Sequence, residues 1–163
     1  MVPESDRLSC EALRLQSIDP ENACKMYEKS LELESENIRT LCNFGLFCYK
    51  ALKKMDDAEA LFKRGLVVAD LIAYDLEEAE EDGEREEHFK KNRVKVNAAA
   101  GLLSNYGNFL KSVRGFASES ENMHIKAIGE WKFVGRASTS FTNSVASPSA
   151  PVRLEPSARR GPR

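Results

Sequence analysis

The sequence lacks an apolar run long enough to cross a membrane. A membrane-spanning helix needs about 20 predominantly apolar residues, and no stretch of the 163 residues approaches that length. The opening residues, MVPESDRLSC, also lack the charged-then-apolar layout of a secretory signal. We therefore expect no membrane partner and a cytoplasmic location, with the nucleus as the alternative.

Signatures of catalysis and of metal binding are also missing. His88 and His124 have no cysteine or serine at a spacing typical of a catalytic family, and the glycines are too isolated to form a phosphate loop. The acidic run around Gly83 fails as a calcium loop, because Phe89 falls where the bidentate glutamate is required. The four cysteines all lie between Cys10 and Cys48 and include no CxxC pair, which favours reduced thiols packed as small apolar groups. We expect a protein that is not an enzyme and has no cofactor or metal.

The charge is divided between an acidic body and a basic tail. Residues 1–128 hold 18 Lys and Arg against 24 Asp and Glu, a net charge of −6, whereas residues 129–163 hold 6 against 2, a net charge of +4. Helical periodicity is lost from about residue 131, and four of the six prolines lie beyond it. The composition predicts a disordered tail over 131–163, rich in Ser, Pro and Arg. Its arginines could attract nucleic acid, but the acidic body disfavours that partner.

One short pattern occurs twice. The stretch LCNFGLFCYK at 41–50 and the stretch LLSNYGNFLK at 102–111 share a leucine, an aromatic three positions later and then a glycine, which is Gly45 in the first copy and Gly107 in the second. Each pattern extends to an apolar stripe at helical spacing. Because glycine inside a helix costs about 1 kcal/mol relative to alanine, its use at one stripe position in both copies predicts close contact with a second helix.

Three segments could supply that second helix. Each carries a small residue, a large residue four positions later and another small residue three positions further on, which places all three on one helix face. Each also begins with a helix-start signal: Asp19-Pro20, then Asp56 with Glu59, then Ser118 with Glu121. The three sets are Ala23, Tyr27 and Ser30; Ala58, Phe62 and Gly65; and Ser120, His124 and Ala127.

Leu41-x2-Phe44-Gly45-x2-Cys48 followed by Ala58-x3-Phe62 resembles the tetratricopeptide repeat (TPR), a helix-turn-helix unit of about 34 residues. The resemblance covers roughly residues 8–130 as two to three degenerate repeats within a domain of residues 1–130. It departs from the family in three ways: no proline closes a repeat, Cys48 and Leu110 replace the usual tyrosine, and one extra residue separates Gly45 from Ala58. The resemblance implies an all-α fold in which antiparallel helix pairs stack as a short solenoid.

An acidic insertion of about residues 72–95 interrupts the repeats. Apolar residues continue at steps of three and four on both sides of Gly83, which predicts two long helices, roughly 56–82 and 85–113, that form a projecting hairpin. All but four members of its segment DLEEAEEDGEREE are Asp or Glu. Such a hairpin is either a docking or self-association surface or a solvated insertion without a specific role.

The resemblance to the tetratricopeptide family also implies a concave groove that binds extended peptides. The family's groove positions correspond to Arg39, Asn43, Leu46, Tyr49 and Lys50 on one helix and to Asn105, Asn108 and Lys111 on the other. An outward-facing asparagine can both donate to and accept from a peptide backbone. The first helix lacks the lysine and asparagine of the clamp that some members use for chaperone tails, which disfavours that ligand.

These observations leave three function classes. The first is a non-catalytic scaffold that binds a protein or peptide partner in the groove. The second is a structural piece of a longer solenoid or a self-associating module, since about three units are needed for a stable array and neither end has a polar capping helix. The third, an RNA-associated helical repeat, has the weakest support.

Overall fold

The computed structural model describes the backbone of residues 2–81 and 85–139 and the side chains of residues 2–78, 87 and 89–129. This part of the chain forms α-helices and contains no strand, so the predicted all-α fold is confirmed. The helices are α1 (Glu4–Leu15), α2 (Pro20–Leu33), α3 (Ile38–Phe47), α4 (Met55–Glu81), α5 (Arg85–Phe109) and α6 (Ala117–Thr139). Two π-helical turns, Cys48–Leu52 and Leu110–Arg114, extend α3 and α5.

Consecutive helices pair through short connections. Helix α1 packs on α2, α3 on α4, and α5 on both α4 and α6. The link between α1 and α2 ends at Asp19, which caps α2 by accepting a hydrogen bond from the Asn22 amide at 3.0 Å, and Pro20 occupies the first helical position. This start signal is as the sequence predicts, because proline has no N–H to leave unsatisfied there.

The predicted contact faces form the core. Tyr27 and Phe62, the large residues of the first two small-large-small sets, are fully buried. Tyr27 stacks on Phe44 with ring centroids 5.1 Å apart, which joins α2 to α3. A Cβ placed on Gly45 would lie 3.1 Å from the Phe62 ring. The glycine therefore provides the close approach of α3 and α4 that its helix position predicts.

Helices α4 and α5 form a long antiparallel hairpin. Phe62 stacks on Tyr106 near its base, with centroids 5.6 Å apart, and Leu76 and Phe89 belong to one buried cluster near its tip. With 27 residues, α4 is about 40 Å long at 1.5 Å per residue. The helix bounds agree with the predicted 56–82 and 85–113, whereas the predicted turn at Gly83 lies outside the described residues.

The repetition of the pattern continues to the helix ends. The Lys53 amide donates to the Cys48 carbonyl, and the Gly115 amide donates to the Leu110 carbonyl, each five residues back across a π turn. A π turn bonds each N–H to the carbonyl five residues back and so contains one more residue than an α turn. The first π turn lies between Gly45 and Ala58, the interval in which the sequence has one extra residue.

Two local predictions, both of capping boxes, are wrong. Helix α4 begins at Met55, and the carboxylates of Asp56 and Glu59 bind Arg114 rather than closing a capping box. Helix α6 begins at Ala117, so Ser118 lies inside it. Helix α6 runs to Thr139, past residue 130, where the sequence predicts the end of the domain. Residues 140–163 of the predicted tail lie outside the described part.

Candidate functional site

Helices α3 and α5, which carry the predicted binding residues, lie side by side. Asn105 Nδ2 donates to Cys42 Sγ at 3.4 Å, and the Tyr49 and Phe109 rings meet edge to face with centroids 5.4 Å apart. Residue numbers rise on both helices from the first contact to the second, so the two helices run in the same direction. Their predicted binding residues therefore follow one another across a continuous face.

The helix α3 side of this face carries four half-buried residues and one exposed lysine. Arg39 is held by α1, because its guanidinium lies 3.8 Å from Asp6 Oδ1 and donates to Cys10 Sγ at 3.8 Å. Asn43 is half-buried and makes no hydrogen bond to a side chain that the structure describes. Leu46 and Tyr49 pack against the main core, and Lys50 is exposed.

The helix α5 side is more open. Asn108 and Lys111 are exposed, as an outward-facing binding surface requires. Asn105 is half-buried, and its amide is engaged by Cys42 on the neighbouring helix. The sequence treats Asn43 and Asn105 as equivalent. In the structure only the side chain of Asn105 forms a hydrogen bond between the two helices.

The face carries positive charge without any carboxylate of its own. Residues 37–55 and residues 88–118 contain no Asp or Glu, although the chain has 26 of these residues. Arg114, at the end of this face, is neutralised by Asp56 and Glu59 at 2.6 and 2.7 Å. Lys50 and Lys111 form no ion pair within the described side chains. Two lysines therefore remain to attract an acidic ligand.

The cysteines near this face are poor nucleophiles. Burial raises the pKa of Cys48 to about 11, and burial also raises the pKa of Cys42 and of Cys24. All three thiols therefore stay protonated at neutral pH. The prediction of free thiols packed as small apolar groups is confirmed for Cys42 and Cys48, which are buried, but it is wrong for Cys10, which is exposed.

His124 packs as the sequence predicts. Its ring lies over Gly107, where an added Cβ would be 2.6 Å from Cε1, and Nδ1 donates to the Ser120 carbonyl at 2.6 Å. Within the described residues, no three His, Cys, Asp or Glu side chains cluster closely enough to hold a metal ion. No helix among these residues combines the length and the apolar character needed to cross a membrane.

No protein-family model matches the chain, and no curated protein or solved structure is significantly similar to it.

Sequence reasoning missed two features of this region. The contact of Asn105 with Cys42 depends on how closely α5 approaches α3, and helical spacing does not report that distance. The absence of carboxylates from 37–55 and 88–118 is visible in the sequence, but net charges summed over 1–128 conceal it. A window the length of one helix reveals it.

Proposed function

We propose that this protein is a non-catalytic, tetratricopeptide-like module that binds an extended acidic segment of a protein partner on the face of α3 and α5. The observation that carries the proposal is the acid-free stretch on each of these helices in an otherwise acidic body. A positive face on an acidic body draws acidic ligands toward one place and repels them elsewhere.

Different exposed groups on this face bind different parts of the ligand. Lys50 and Lys111 supply unpaired positive charge for carboxylates. Asn108, which is exposed, and Asn43, which is half-buried, supply amides that can donate to and accept from a peptide backbone. Arg39 and Asn105 have partners in the chain. We therefore assign them a structural role, in which they hold the helices in place, rather than a primary role in ligand binding.

The assignment to a tetratricopeptide-like class rests on the repeated helix pair. Gly45 meets Phe62 and Gly107 meets His124, at the same positions in the two units. Such units stack by translation and present their first helices on one surface. The four cysteines are free thiols, which is in keeping with a reducing compartment, and we propose the cytoplasm, with the nucleus as the alternative.

Selection of peptides on the purified full chain tests this function. Short random peptides displayed on phage should yield binders enriched in Asp and Glu. Anisotropy of one labelled, selected peptide then gives its dissociation constant at low and at moderate salt. In K50E/K111E, binding should weaken by about tenfold or more, because two attractions become repulsions.

The matched control moves the same charge change to other surfaces. Lys29 on α2 and Lys91 near the hairpin end of α5 are both exposed, so K29E/K91E alters the net charge equally and should bind as the wild type does. The proposal fails if selected peptides show no acidic enrichment, or if both double variants lose binding to the same degree. Preference for single-stranded RNA over every selected peptide would favour nucleic-acid binding instead.

A further inference from the structure

Helix α4 exposes three large apolar residues in a line. Val67, Leu71 and Tyr74 are 62%, 52% and 62% exposed, and their spacing of four and three positions places them on one helix face. Phe62, Ala69 and Leu76, which are buried, lie on the opposite face and pack in the core. We refer to Val67, Leu71 and Tyr74 as the α4 stripe. Single exposed apolar residues are ordinary on protein surfaces, but a row of them marks a contact site.

Opposite charges stand at the two ends of the α4 stripe. Lys63 and Arg64 precede it, and Glu77 and Glu78 follow it, and all four are exposed. The basic pair lies four and three positions before Val67, while the acidic pair lies three and four positions after Tyr74. Along α4 this face is therefore first basic, then apolar and then acidic. The spacing of these residues is symmetric about the centre of the α4 stripe.

We propose that the α4 stripe docks on the α4 stripe of a second copy of this chain, with the two helices antiparallel. Reversing one helix brings Lys63 opposite Glu78, Arg64 opposite Glu77 and Val67 opposite Tyr74. Leu71 then lies beside the two-fold axis. Such an interface is isologous, because each copy contributes the same surface and each pairing occurs twice.

The groups around the α4 stripe permit this pairing. Asp70, at the edge of the stripe, is neutralised by Lys126 of α6 at 3.1 Å, so its charge does not oppose a second copy. Lys63 lies 2.8 Å from Glu59 on its own helix, and Arg64 donates to the Ser35 carbonyl at 3.2 Å. Glu77 and Glu78 make no ion pair with any side chain that the structure describes. The acidic ends are thus exposed and unpaired among the described side chains, so the basic ends of a partner can pair with them.

The size of the surface sets the expected strength. Three apolar residues with four charges on each copy cover less than the roughly 1,200 Å² of total buried area that marks the low end of stable interfaces. We therefore expect a concentration-dependent dimer with a dissociation constant on the order of 100 μM. This inference does not rest on the proposed peptide-binding function, since it concerns the outer face of α4 rather than the face of α3 and α5.

Sedimentation velocity on the full chain at increasing concentration tests the proposal. The mass should rise from 18.3 kDa toward twice that value. Leu71→Glu places two like charges beside the axis and should abolish the rise. Val94→Glu is the matched control, because Val94 is 66% exposed on α5, away from the stripe, and should leave the rise intact.

Charge reversal tests the antiparallel arrangement itself. K63E/R64E makes both ends acidic and E77K/E78K makes both ends basic, so each variant alone should stay monomeric. Mixed together, they should form a heterodimer, because every end then meets its opposite. Thermal melting of each variant checks that the fold is retained.

Three results would overturn the proposal. The first is a wild-type mass that stays at the monomer value up to about 1 mM, ten times the expected dissociation constant. The second is a rise in mass that Leu71→Glu leaves unchanged. The third is a failure of the two folded charge variants to associate on mixing, which would exclude the antiparallel register.

Discussion

Lys53 and Gly115 end equivalent helices with the same left-handed backbone, at φ 59° and φ 71°. Each follows a π turn, and each lies eight positions after the glycine of its pattern, Gly45 or Gly107. In this conformation the Cβ of an L-residue approaches the following carbonyl, whereas glycine has no Cβ to do so. The first unit therefore uses a strained residue where the second uses an unstrained one.

Replacing Lys53 by glycine should consequently stabilise the protein. We expect Lys53→Gly to raise the free energy of unfolding by about 0.5 to 1 kcal/mol, measured by urea denaturation, because the relief of strain exceeds the added chain entropy. Gly115→Ala is the reciprocal change, and it should cost about 1 kcal/mol. Since no described residue other than its two chain neighbours comes within 4 Å of a Cβ at Gly115, we attribute that cost to the backbone. A Lys53→Gly variant that is less stable than the wild type would contradict this account.

Gly45 and Gly101 should respond oppositely to a larger side chain. A Cβ at Gly45 would lie 3.1 Å from the Phe62 ring, whereas a Cβ at Gly101 would meet nothing within 4 Å. We expect Gly45→Leu to separate α3 from α4 and to lower the free energy of unfolding by about 1 to 3 kcal/mol through overpacking. Gly101→Ala should raise it by up to about 1 kcal/mol, since glycine is a poor helix former. Equal melting temperatures for Gly45→Leu and the wild type would remove Gly45 from the helix interface.

The sequence predicts well which side of each helix packs against a neighbouring helix, because this depends only on the spacing of the apolar residues. The apolar steps through Phe62 and Leu76 on α4, and through Phe89 and Tyr106 on α5, predict the buried faces of the hairpin correctly. Spacing does not report how near a neighbouring helix comes. It therefore predicts Asn105 as a free binding residue, whereas the structure shows its amide engaged by Cys42.

Helix ends are harder to predict, because a polar side chain near the end can bind either the helix backbone or a side chain that is distant in sequence. Asp56 and Glu59 have the residue types of a capping box, yet Arg114, which is distant in sequence, takes both carboxylates. No residue type identifies the π turns in the sequence. Their one sign is the additional residue that each turn contains. The outward row of Val67, Leu71 and Tyr74 was detectable as a second periodic stripe on α4, but the stronger inward stripe obscured it.

Ser9 and Ser30 offer a paired test of buried hydroxyl groups. Both are buried, but Ser9 Oγ has no hydrogen-bond partner within the described residues, whereas Ser30 Oγ donates to the Ser5 carbonyl at 2.8 Å. We expect Ser9→Ala to raise the free energy of unfolding by about 1 kcal/mol, because it removes an unsatisfied polar group and improves helix propensity.

Ser30→Ala changes the same atom type and volume and should lower the free energy of unfolding by about 1 to 2 kcal/mol, because it removes the hydrogen bonds that join Ser30 Oγ to the Ser5 carbonyl and to Thr40 Oγ1. Urea denaturation of the two variants side by side makes the comparison. Destabilisation of similar size in both would mean that Ser9 also has a hydrogen-bond partner.

Arg114 links the end of α5 to the start of α4, and this link should depend on pH. Hydrogen bonds from Lys63 and then Arg114 lower the pKa of Glu59, whose side chain is 16% exposed. A carboxyl group with a lowered pKa in the folded state adds stability above its unfolded pKa of about 4.3, and that stability is lost as the pH falls through the folded value. Arg114→Met should therefore lower the melting temperature at pH 7, and the difference from the wild type should shrink below about pH 4.3.

The control for this prediction is an ion pair with no buried partner. Lys25 and Glu21 lie 3.0 Å apart on α2, with side chains 66% and 83% exposed. Exposed pairs of this kind contribute little in water, so Lys25→Met should melt as the wild type does at both pH values. If Arg114→Met and Lys25→Met had the same melting temperature at pH 7, the Arg114 link would be a surface contact that adds nothing measurable to stability. A difference for Arg114→Met that grew as the pH fell would mean that Glu59 is not the group that titrates.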